Sequence, residues 1–191
     1  MKVVAFNGSP NPRGNTRRAL EIVLSGLADE GVDGEIVQVG GSLVHGCTAC
    51  RLCFKAKNRR CAKDDDCMND FIAAADAADG IIIGTPVYFS NVTSETKALI
   101  DRLGFVARAN GCMLRHKVGA PVIAVRRAGS NFVYAAINFF FGINEMVIPC
   151  ASYWNAAFGL RPGEVDADTE GIATLQSLAR NMSFVLRKLN A

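Results

Sequence analysis

The chain has 191 residues, half of them hydrophobic, and a formal net charge of +3. This length suffices for one substantial hydrophobic core and is short for two, so we expect one domain over residues 1–191. The weak positive charge gives no reason to expect a nucleic-acid partner. No apolar run reaches the length of a membrane span, and Val3–Phe6 is too short for a secretory signal. We therefore expect a cytoplasmic protein, with no membrane partner, whose seven cysteines are reduced.

The first elements are a strand, a polar loop and a helix. Lys2–Phe6 is short, apolar and rich in β-branched residues, which predicts a strand buried on both faces. After the loop, Leu20, Val23 and Leu27 recur at helical spacing. A loop in this position directs backbone N–H groups and the positive end of the helix dipole at a ligand above the sheet edge.

The loop after the first strand carries groups that suit a phosphate, namely the hydroxyls of Ser9 and Thr16 and the cation of Arg13. Asn15 follows the second glycine, where a P-loop has its lysine, which disfavours a nucleoside triphosphate. The G-x-G-x-x-G pattern is absent, which disfavours a Rossmann-type NAD site. A terminal phosphate monoester such as that of FMN remains. The alternative is a Gly/Pro-rich turn that binds nothing.

Strand and helix patterns alternate along the rest of the chain, which predicts a flavodoxin-like three-layer α/β sandwich with a five-stranded parallel sheet. Ligands of such sheets bind at the carboxyl ends of the strands. The further predicted strands are Gly34–Val39, Gly80–Gly84, Val118–Val125 and Met146–Cys150. The further predicted helices are Asp66–Ala77, Ser94–Arg108, Asn131–Gly142 and Asp168–Leu189.

Two loops at this edge suit a flat, amphipathic ring system. The loop after the third strand carries Pro86, Tyr88 and Phe89 among polar residues, a mixture that allows both stacking and hydrogen bonding. Alternatively, the two aromatic residues only cover the end of the core. The loop after the fourth strand carries Arg126 and Arg127, which could neutralise a reduced flavin or a second phosphate, or could simply be solvated.

The predicted helix over Phe132–Phe141 is apolar almost all the way round, with three consecutive phenylalanines at its end. A helix on the surface of a monomer has a polar face. We therefore expect this helix to contribute to a subunit interface as well as to the core.

Four cysteines lie within fifteen residues, in an insertion of about residues 40–66 after the second strand. Thiolates at this spacing can converge on one inorganic centre, and a compact run of three favours an iron-sulfur cluster over zinc, which usually takes two separated C-x-x-C pairs. A zinc ion and an empty site remain alternatives. Cys67 could replace the last of the four as a ligand. The predicted ligands are Cys47, Cys50, Cys53 and Cys61.

The same insertion is basic, and its cations are Lys55, Lys57, Arg59, Arg60 and Lys63. A solvated loop explains such a run, because charged side chains are ordinarily exposed. The functional alternative is a docking surface for an acidic electron carrier of the ferredoxin type, guided by charge.

Motifs spread over nearly the whole chain resemble those of the flavodoxin-like NAD(P)H-dependent FMN reductases and, within them, the iron-sulfur flavoproteins. The motifs are Gly8-Ser-Pro with Gly14-Asn-Thr, the cysteine run followed by Lys63-Asp-Asp, Gly84-Thr-Pro-Val-Tyr-Phe with Lys97-Ala-Leu-Ile-Asp-Arg102, Arg126-Arg-Ala-Gly129, and Tyr153-Trp154-Asn155 with Asp168-x-Glu-Gly171.

The resemblance implies a noncovalently bound FMN, a [4Fe-4S] cluster and a homodimer or homotetramer. The phosphate residues that it implies are Ser9, Asn11, Arg13, Gly14, Asn15 and Thr16. The residues that it implies around the isoalloxazine are Pro86, Val87, Tyr88, Phe89, Ser90, Asn91 and Arg127. The chain departs from its relatives at Phe132 and Phe139, near which they often carry histidines, so a polar role there is not expected.

The function that follows is an FMN-dependent oxidoreductase. It would move electrons between NAD(P)H, or a small electron carrier, and a small-molecule acceptor such as a flavin or a quinone. No catalytic side chain is expected, because the flavin carries the chemistry. The alternatives are a nonenzymatic electron carrier or redox sensor, and a cluster-free NAD(P)H-dependent FMN or quinone reductase.

Overall fold

The computed structural model describes all 191 residues and contains a five-stranded parallel sheet with the strand order β2-β1-β3-β4-β5. This order and the helices on both faces confirm the predicted flavodoxin-like α/β fold. The central strands β3 and β4 are buried along almost their whole length, as their continuous apolar sequences require. The strands are β1 (Lys2–Asn7), β2 (Asp33–Gln38), β3 (Gly80–Pro86), β4 (Val118–Val125) and β5 (Ala156–Phe158).

Six α-helices and one 3₁₀ turn, Glu164–Ala167, connect the strands. Helices α1 and α6 cover one face of the sheet, and α3, α4 and α5 cover the other, so that each face has its own apolar core. None of these helices is long and apolar enough to cross a bilayer. The helices are α1 (Asn15–Asp29), α2 (Leu52–Ala56), α3 (Met68–Ala77), α4 (Ser94–Ala109), α5 (Ser130–Ile143) and α6 (Thr169–Leu189).

The prediction of the last strand at Met146–Cys150 is wrong. Val147 forms only an isolated parallel bridge with Val118, in which the Gly119 N–H donates to the Val147 carbonyl over 2.9 Å. Pro149 has no N–H to continue the ladder, so the chain leaves the sheet and returns as β5 beside the end of β4. The run packs partly against the core, through Met146 and Ile148, without forming a strand.

The loops after β1 and β2 pack backbone against backbone at the carboxyl edge of the sheet. A Cβ atom on Gly40 would lie 2.3 Å from the carbonyl carbon of Ser9, and one on Gly8 would lie 1.9 Å from Thr96 Oγ1. Neither position has room for a side chain. The cysteine-containing segment between β2 and α3, whose only regular element is α2, therefore begins in direct contact with the loop after β1.

Candidate functional site

The amino terminus of α1 is open toward the carboxyl edge of the sheet. No side chain caps it and its first turn carries no acidic residue, whereas Thr93 caps α4 and Asp168 caps α6. The first N–H groups of a helix have no partners within the helix, and the helix dipole makes this end positive. Together with the buried Thr16, this end of α1 has the properties of an anion site.

The predicted phosphate residues lie around this helix end, but they are not equally available. The Ser9 oxygen accepts the Asn11 N–H over 3.2 Å, and the Asn11 side chain accepts the Arg13 N–H over 3.1 Å, so the loop is held by its own side chains. The Ser9 hydroxyl proton and the exposed Arg13 cation remain available for a ligand. Gly14 is buried and its N–H donates to the Asn11 carbonyl over 3.2 Å.

The side chain of Asn15 is already engaged elsewhere. Its amide nitrogen donates to the Arg161 carbonyl over 2.9 Å, and its amide oxygen accepts the Gly163 N–H over 2.9 Å. Asn15 therefore ties α1 to the loop after β5, and only its backbone N–H is left to face an anion. Sequence analysis could not find this contact, because its partners lie almost 150 positions away.

A tight turn over Tyr88–Asn91 follows β3. The Tyr88 and Asn91 backbones exchange two hydrogen bonds of 2.9 Å, and the two residues between them, Phe89 and Ser90, have φ angles of 48° and 59°. Left-handed backbone costs a residue other than glycine about 1–2 kcal/mol. The Phe89 side chain is fully exposed. A strained turn that holds an aromatic ring in solvent at a ligand-binding edge indicates a functional role.

The loop after β4 packs on this turn. Gly129 has a φ of 91°, and a Cβ there would lie 2.9 Å from Ser90 Oγ and 3.0 Å from Val87 Cγ1. Arg126 and Arg127 are exposed on the same loop. The structure thus brings together the two loops that the sequence assigned to a flat ring, and Pro86 joins the turn to the end of β3.

A further cavity of about 400 Å³ lies at this edge, between the start of α5, the segment before β5 and the start of α6. Its walls include the exposed rings of Tyr153 and Trp154, whose centroids are 4.6 Å apart, and its rim carries Glu170. Sequence analysis assigned no function to these residues. Two adjacent exposed aromatic residues outside any periodic pattern were the available signal.

The four predicted metal ligands line one small cavity, and Cys67 does not. Cys47 and Cys50 are exposed, Cys53 is buried, and Cys61 is partly buried. Cys67 instead precedes α3 and packs against the core, where its N–H donates to the Leu43 carbonyl over 3.3 Å.

The four sulfurs do not lie as close together as they do around a bound zinc ion. In a tetrahedral zinc site with Zn–S distances of about 2.3 Å, the sulfurs are about 3.8 Å apart. No three cysteine sulfurs of this chain lie within 4.8 Å of one another. The cavity between the cysteines encloses about 20 Å³ and is open to the surface on the side where Cys47 and Cys50 lie.

Hydrogen bonds and burial set the chemistry of the individual thiols. The Leu52 N–H and, to a smaller extent, the Thr48 hydroxyl lower the pKa of Cys50, which favours its thiolate. Burial raises the pKa of Cys53. Backbone N–H groups directed at sulfur also tune the reduction potential of a cluster.

A buried ion pair between Arg102 and Asp66 lies behind the cysteines, and both side chains are at most 1% exposed. Burial raises the pKa of the Asp66 carboxyl, but the Arg102 guanidinium and the N–H groups of His45 and Met68 outweigh it, so the pKa is lower than usual. In the sequence, Arg102 stood out only as the end of a motif and Asp66 only as the start of a predicted helix. A cation between Leu99 and Leu103 on the apolar stripe of α4 was the signal for a buried partner.

Several known proteins are similar in sequence to this chain. A family model described as NADPH-dependent FMN reductase matches residues 1–160. The chain is 32% identical to an iron-sulfur flavoprotein of Methanocaldococcus jannaschii, with 98% of each chain covered. It belongs to the NADPH-dependent FMN reductase family, as an iron-sulfur flavoprotein. An iron-sulfur flavoprotein of Methanosarcina thermophila is 30% identical, with 97% of this chain and 95% of the relative covered.

Solved structures show the same fold in distant proteins. RosB, solved with bound 8-demethyl-8-formylriboflavin-5'-phosphate, superposes with a TM-score of 0.81 at 19% identity, covering all of this chain and 80% of RosB. A WrbA-like flavodoxin of Agrobacterium tumefaciens gives 0.66 at 16% identity, with 98% and 97% covered. The family membership makes this iron-sulfur flavoprotein a flavin-dependent oxidoreductase.

The buried ion pair predicts an acid-sensitive stability. We expect Asp66→Asn to lower the free energy of unfolding by about 3–5 kcal/mol at pH 7, because it leaves the Arg102 charge buried and unpaired. The pKa of Asp66 is lower in the folded protein than in the unfolded chain. The stabilisation that the Asp66 charge gives to the folded state is therefore complete above the unfolded pKa of about 3.9 and is lost as the pH falls through the folded pKa.

Urea unfolding of the wild type and of Asp66→Asn between pH 7 and pH 3 measures this difference, which should narrow only below about pH 4. The exposed neighbour Asp65 provides a matched control, and Asp65→Asn should change the stability little. A difference that is equally large at pH 3 and pH 7 would contradict the assignment.

Proposed function

We propose that this iron-sulfur flavoprotein moves electrons from NAD(P)H through FMN to a small-molecule acceptor, with a [4Fe-4S] cluster beside the flavin. The observation that carries the proposal is the direct backbone contact between the loop after β1 and the segment that holds the cysteines, at Ser9 and Gly40. The segment that holds the cysteines thus leaves β2 at the same sheet edge as the proposed anion site.

The open end of α1 is proposed to bind the FMN phosphate. The N–H groups of its first turn and the hydroxyls of Ser9 and Thr16 would donate hydrogen bonds, and Arg13 would add a positive charge at the exposed side. The Asn15 side chain would act indirectly, because it fastens the loop after β5 to this helix.

The turn Tyr88–Asn91 is proposed to hold the isoalloxazine. Its exposed aromatic rings offer stacking surfaces, its backbone and Asn91 offer hydrogen bonds, and Arg127 on the adjacent loop offers a charge that favours an anionic ring. Bound FMN supplies the hydride chemistry, so no side chain of this chain needs to act as an acid, a base or a nucleophile. A nicotinamide would have to stack on the exposed face of the ring.

The cysteines Cys47, Cys50, Cys53 and Cys61 are proposed to hold the cluster. Soft thiolates around one cavity suit iron-sulfur ligation, their sulfurs are spread more widely than a single ion requires, and a buried arginine lines the same cavity. A cluster in this position supplies one-electron transfer next to the two-electron flavin.

Exposed apolar residues on α5 support a homodimer or homotetramer. Phe132 and Phe139 are 69% and 77% exposed, and Phe139 and Ile143 line a groove of about 710 Å³ together with Phe54 and Phe105. Exposed apolar side chains that are grouped in one groove mark a surface for protein contacts. We propose that α5 contributes to the contact between copies of this chain.

A second candidate function is that of an electron carrier without nicotinamide turnover. The observation that favours it is the set of exposed cations around the cysteine site, among them Lys55, Lys57 and Arg60. Such a surface would attract an acidic donor of the ferredoxin type, with rates that fall as salt increases.

Anaerobic flavin spectroscopy tests the proposed function. The purified protein should bind FMN, and NADPH or NADH should bleach the flavin absorbance rapidly. Thr16→Val should weaken FMN binding about tenfold or more, because hydrogen bonds to charged groups contribute about 1.5–3 kcal/mol. The exposed Ser25 on the same helix provides the control Ser25→Ala, which should bind FMN normally.

Two outcomes would overturn parts of this proposal. A protein that binds no added FMN refutes the flavin site. If reduced ferredoxin bleaches the flavin and neither NADH nor NADPH does, the result favours the electron carrier over the reductase.

Metal analysis of two cysteine variants tests the cluster ligands. The wild type, prepared without oxygen, should contain iron and acid-labile sulfide in equal amounts and no zinc. Cys61→Ser should lose most of both, and Cys67→Ser should retain them, because Cys61 lines the cavity and Cys67 does not. The reverse result would assign the fourth ligand to Cys67, and stoichiometric zinc would refute the cluster.

Sedimentation velocity tests the interface. We expect the wild type to sediment as a dimer or tetramer and Phe139→Glu to dissociate, because the variant places a charge in a buried apolar contact. Phe184, which is 57% exposed on α6 across the sheet, provides the matched control Phe184→Glu, which should not dissociate. A monomeric wild type would contradict the proposal.

A further inference from the structure

Arg102 is the one fully buried arginine of the chain, and it faces the cysteine cavity. Its side chain is 1% exposed, although arginine is almost never fully buried unless its charge is compensated. It lies on α4, whereas the cysteines lie on the segment between β2 and α3, so it approaches them from outside their own segment. The hydrogen-bond partners of Arg102 indicate its role at this site.

The guanidinium joins the two ends of the cysteine segment. Nη1 donates to the His45 carbonyl over 3.1 Å, and Nη2 donates to the Lys63 carbonyl over 2.8 Å. His45 precedes the first of the four cysteines by two positions, and Lys63 follows the last by two. One side chain of α4 therefore closes the loop that contains all four thiols.

We call the hydrogen bonds from Arg102 to His45 and Lys63 the clamp, and Asp66 completes it. Its carboxylate accepts a hydrogen bond from Arg102 Nη1 and another from the His45 N–H over 2.8 Å, and it also accepts the Met68 N–H over 3.1 Å. Asp66 does not line the cysteine cavity, whereas Arg102 does. The pair is therefore a dipole whose positive end is directed at the thiols.

One nitrogen of the Arg102 guanidinium makes no hydrogen bond. Its Nε–H is buried and makes no hydrogen bond, although the other two nitrogens are engaged. A buried donor without a partner costs free energy and is rare in folded proteins. Because Arg102 lines the cavity, an anion bound among the cysteines is the missing acceptor that the structure offers.

Cys61 and Arg102 line the same cavity. Burial by itself would lower the pKa of Arg102, but its pairing with the Asp66 carboxylate outweighs this effect, so the guanidinium stays charged. Four thiolates around one centre concentrate negative charge, and a cation beside them stabilises the state with the additional electron.

We propose that Arg102 is a positioning residue of the cluster site, which clamps the cysteine loop through His45 and Lys63 and raises the reduction potential of the cluster. The electrostatic half of this inference rests on the proposed [4Fe-4S] cluster. The clamp half does not, because its hydrogen bonds join protein groups only.

A redox titration of the cluster, followed by electron paramagnetic resonance, tests the electrostatic half. The double variant Arg102→Gln/Asp66→Asn removes both charges and leaves polar groups in their place. At the wild-type midpoint, its ratio of reduced to oxidised cluster should be at least tenfold lower, which is about 59 mV for a one-electron couple. Arg102→Lys keeps the charge and should remain near the wild-type potential.

Trypsin digestion of the metal-free protein tests the clamp. Arg51, Lys55 and Lys57 offer cleavage sites inside the loop. Both the double variant and Arg102→Lys should be cut there several-fold faster than the wild type, because neither replacement can reproduce the two ties to carbonyl groups. Lys97→Gln, on the exposed side of α4, is the matched control and should change neither the potential nor the cleavage rate.

Each outcome distinguishes the two proposals. A wild type without iron refutes the cluster and leaves the clamp to be decided by trypsin alone. An iron-loaded double variant with the wild-type potential and the wild-type cleavage rate overturns the role of Arg102 while the cluster stands. If the double variant does not fold, Arg102→Lys decides, because cleavage at the wild-type rate contradicts the clamp.

Discussion

The contact between Gly40 and Ser9 is the constraint on which the arrangement of the site depends. Two backbones approach so closely there that no side chain fits between them. The loop after β1 and the segment after β2 are thereby held at a fixed separation, and each of them carries one half of the proposed redox site. Parallel strands make this possible, because β1 and β2 end at the same edge of the sheet.

From this contact outward, the cysteine segment is held by side chains rather than by secondary structure. Apart from the five-residue α2, it has no regular element between β2 and α3. The Arg102–Asp66 pair closes it from α4, and Asn69 of α3 holds the Cys61 backbone with bonds of 2.8 Å and 3.1 Å. Irregular backbone needs such partners for its polar groups, and here they come from two helices of the fold.

Much of the fold followed from local patterns in the sequence. The first four strands, the long helices and the edge at which the loops meet were all predictable, because continuous apolar runs and helical periodicity are local signals. The strand at Met146–Cys150 was predicted wrongly, since its apolar character reflected burial, and Pro149 prevented the ladder. The cysteine spacing was visible in the sequence, but its relation to the cavity was not.

What the sequence could not provide were contacts between distant segments. Asn15 was expected to contact phosphate, and its side chain instead binds the Arg161 and Gly163 backbones. Arg102 and Asp66 are 36 positions apart and pair only because α4 packs beside the start of α3. Such pairs depend on the three-dimensional fold, and a single sequence without its relatives contains no record of them.

The exposure of Cys47 and Cys50 makes the cysteine site sensitive to oxidation. Both thiols are at the surface, and hydrogen bonds favour the thiolate of Cys50, which is the form that peroxides attack. The first damage is a sulfenic acid, which a second nearby thiol converts to a disulfide that thiols can reverse. The open side through which a metal centre could be built is thus also the side on which oxidation begins.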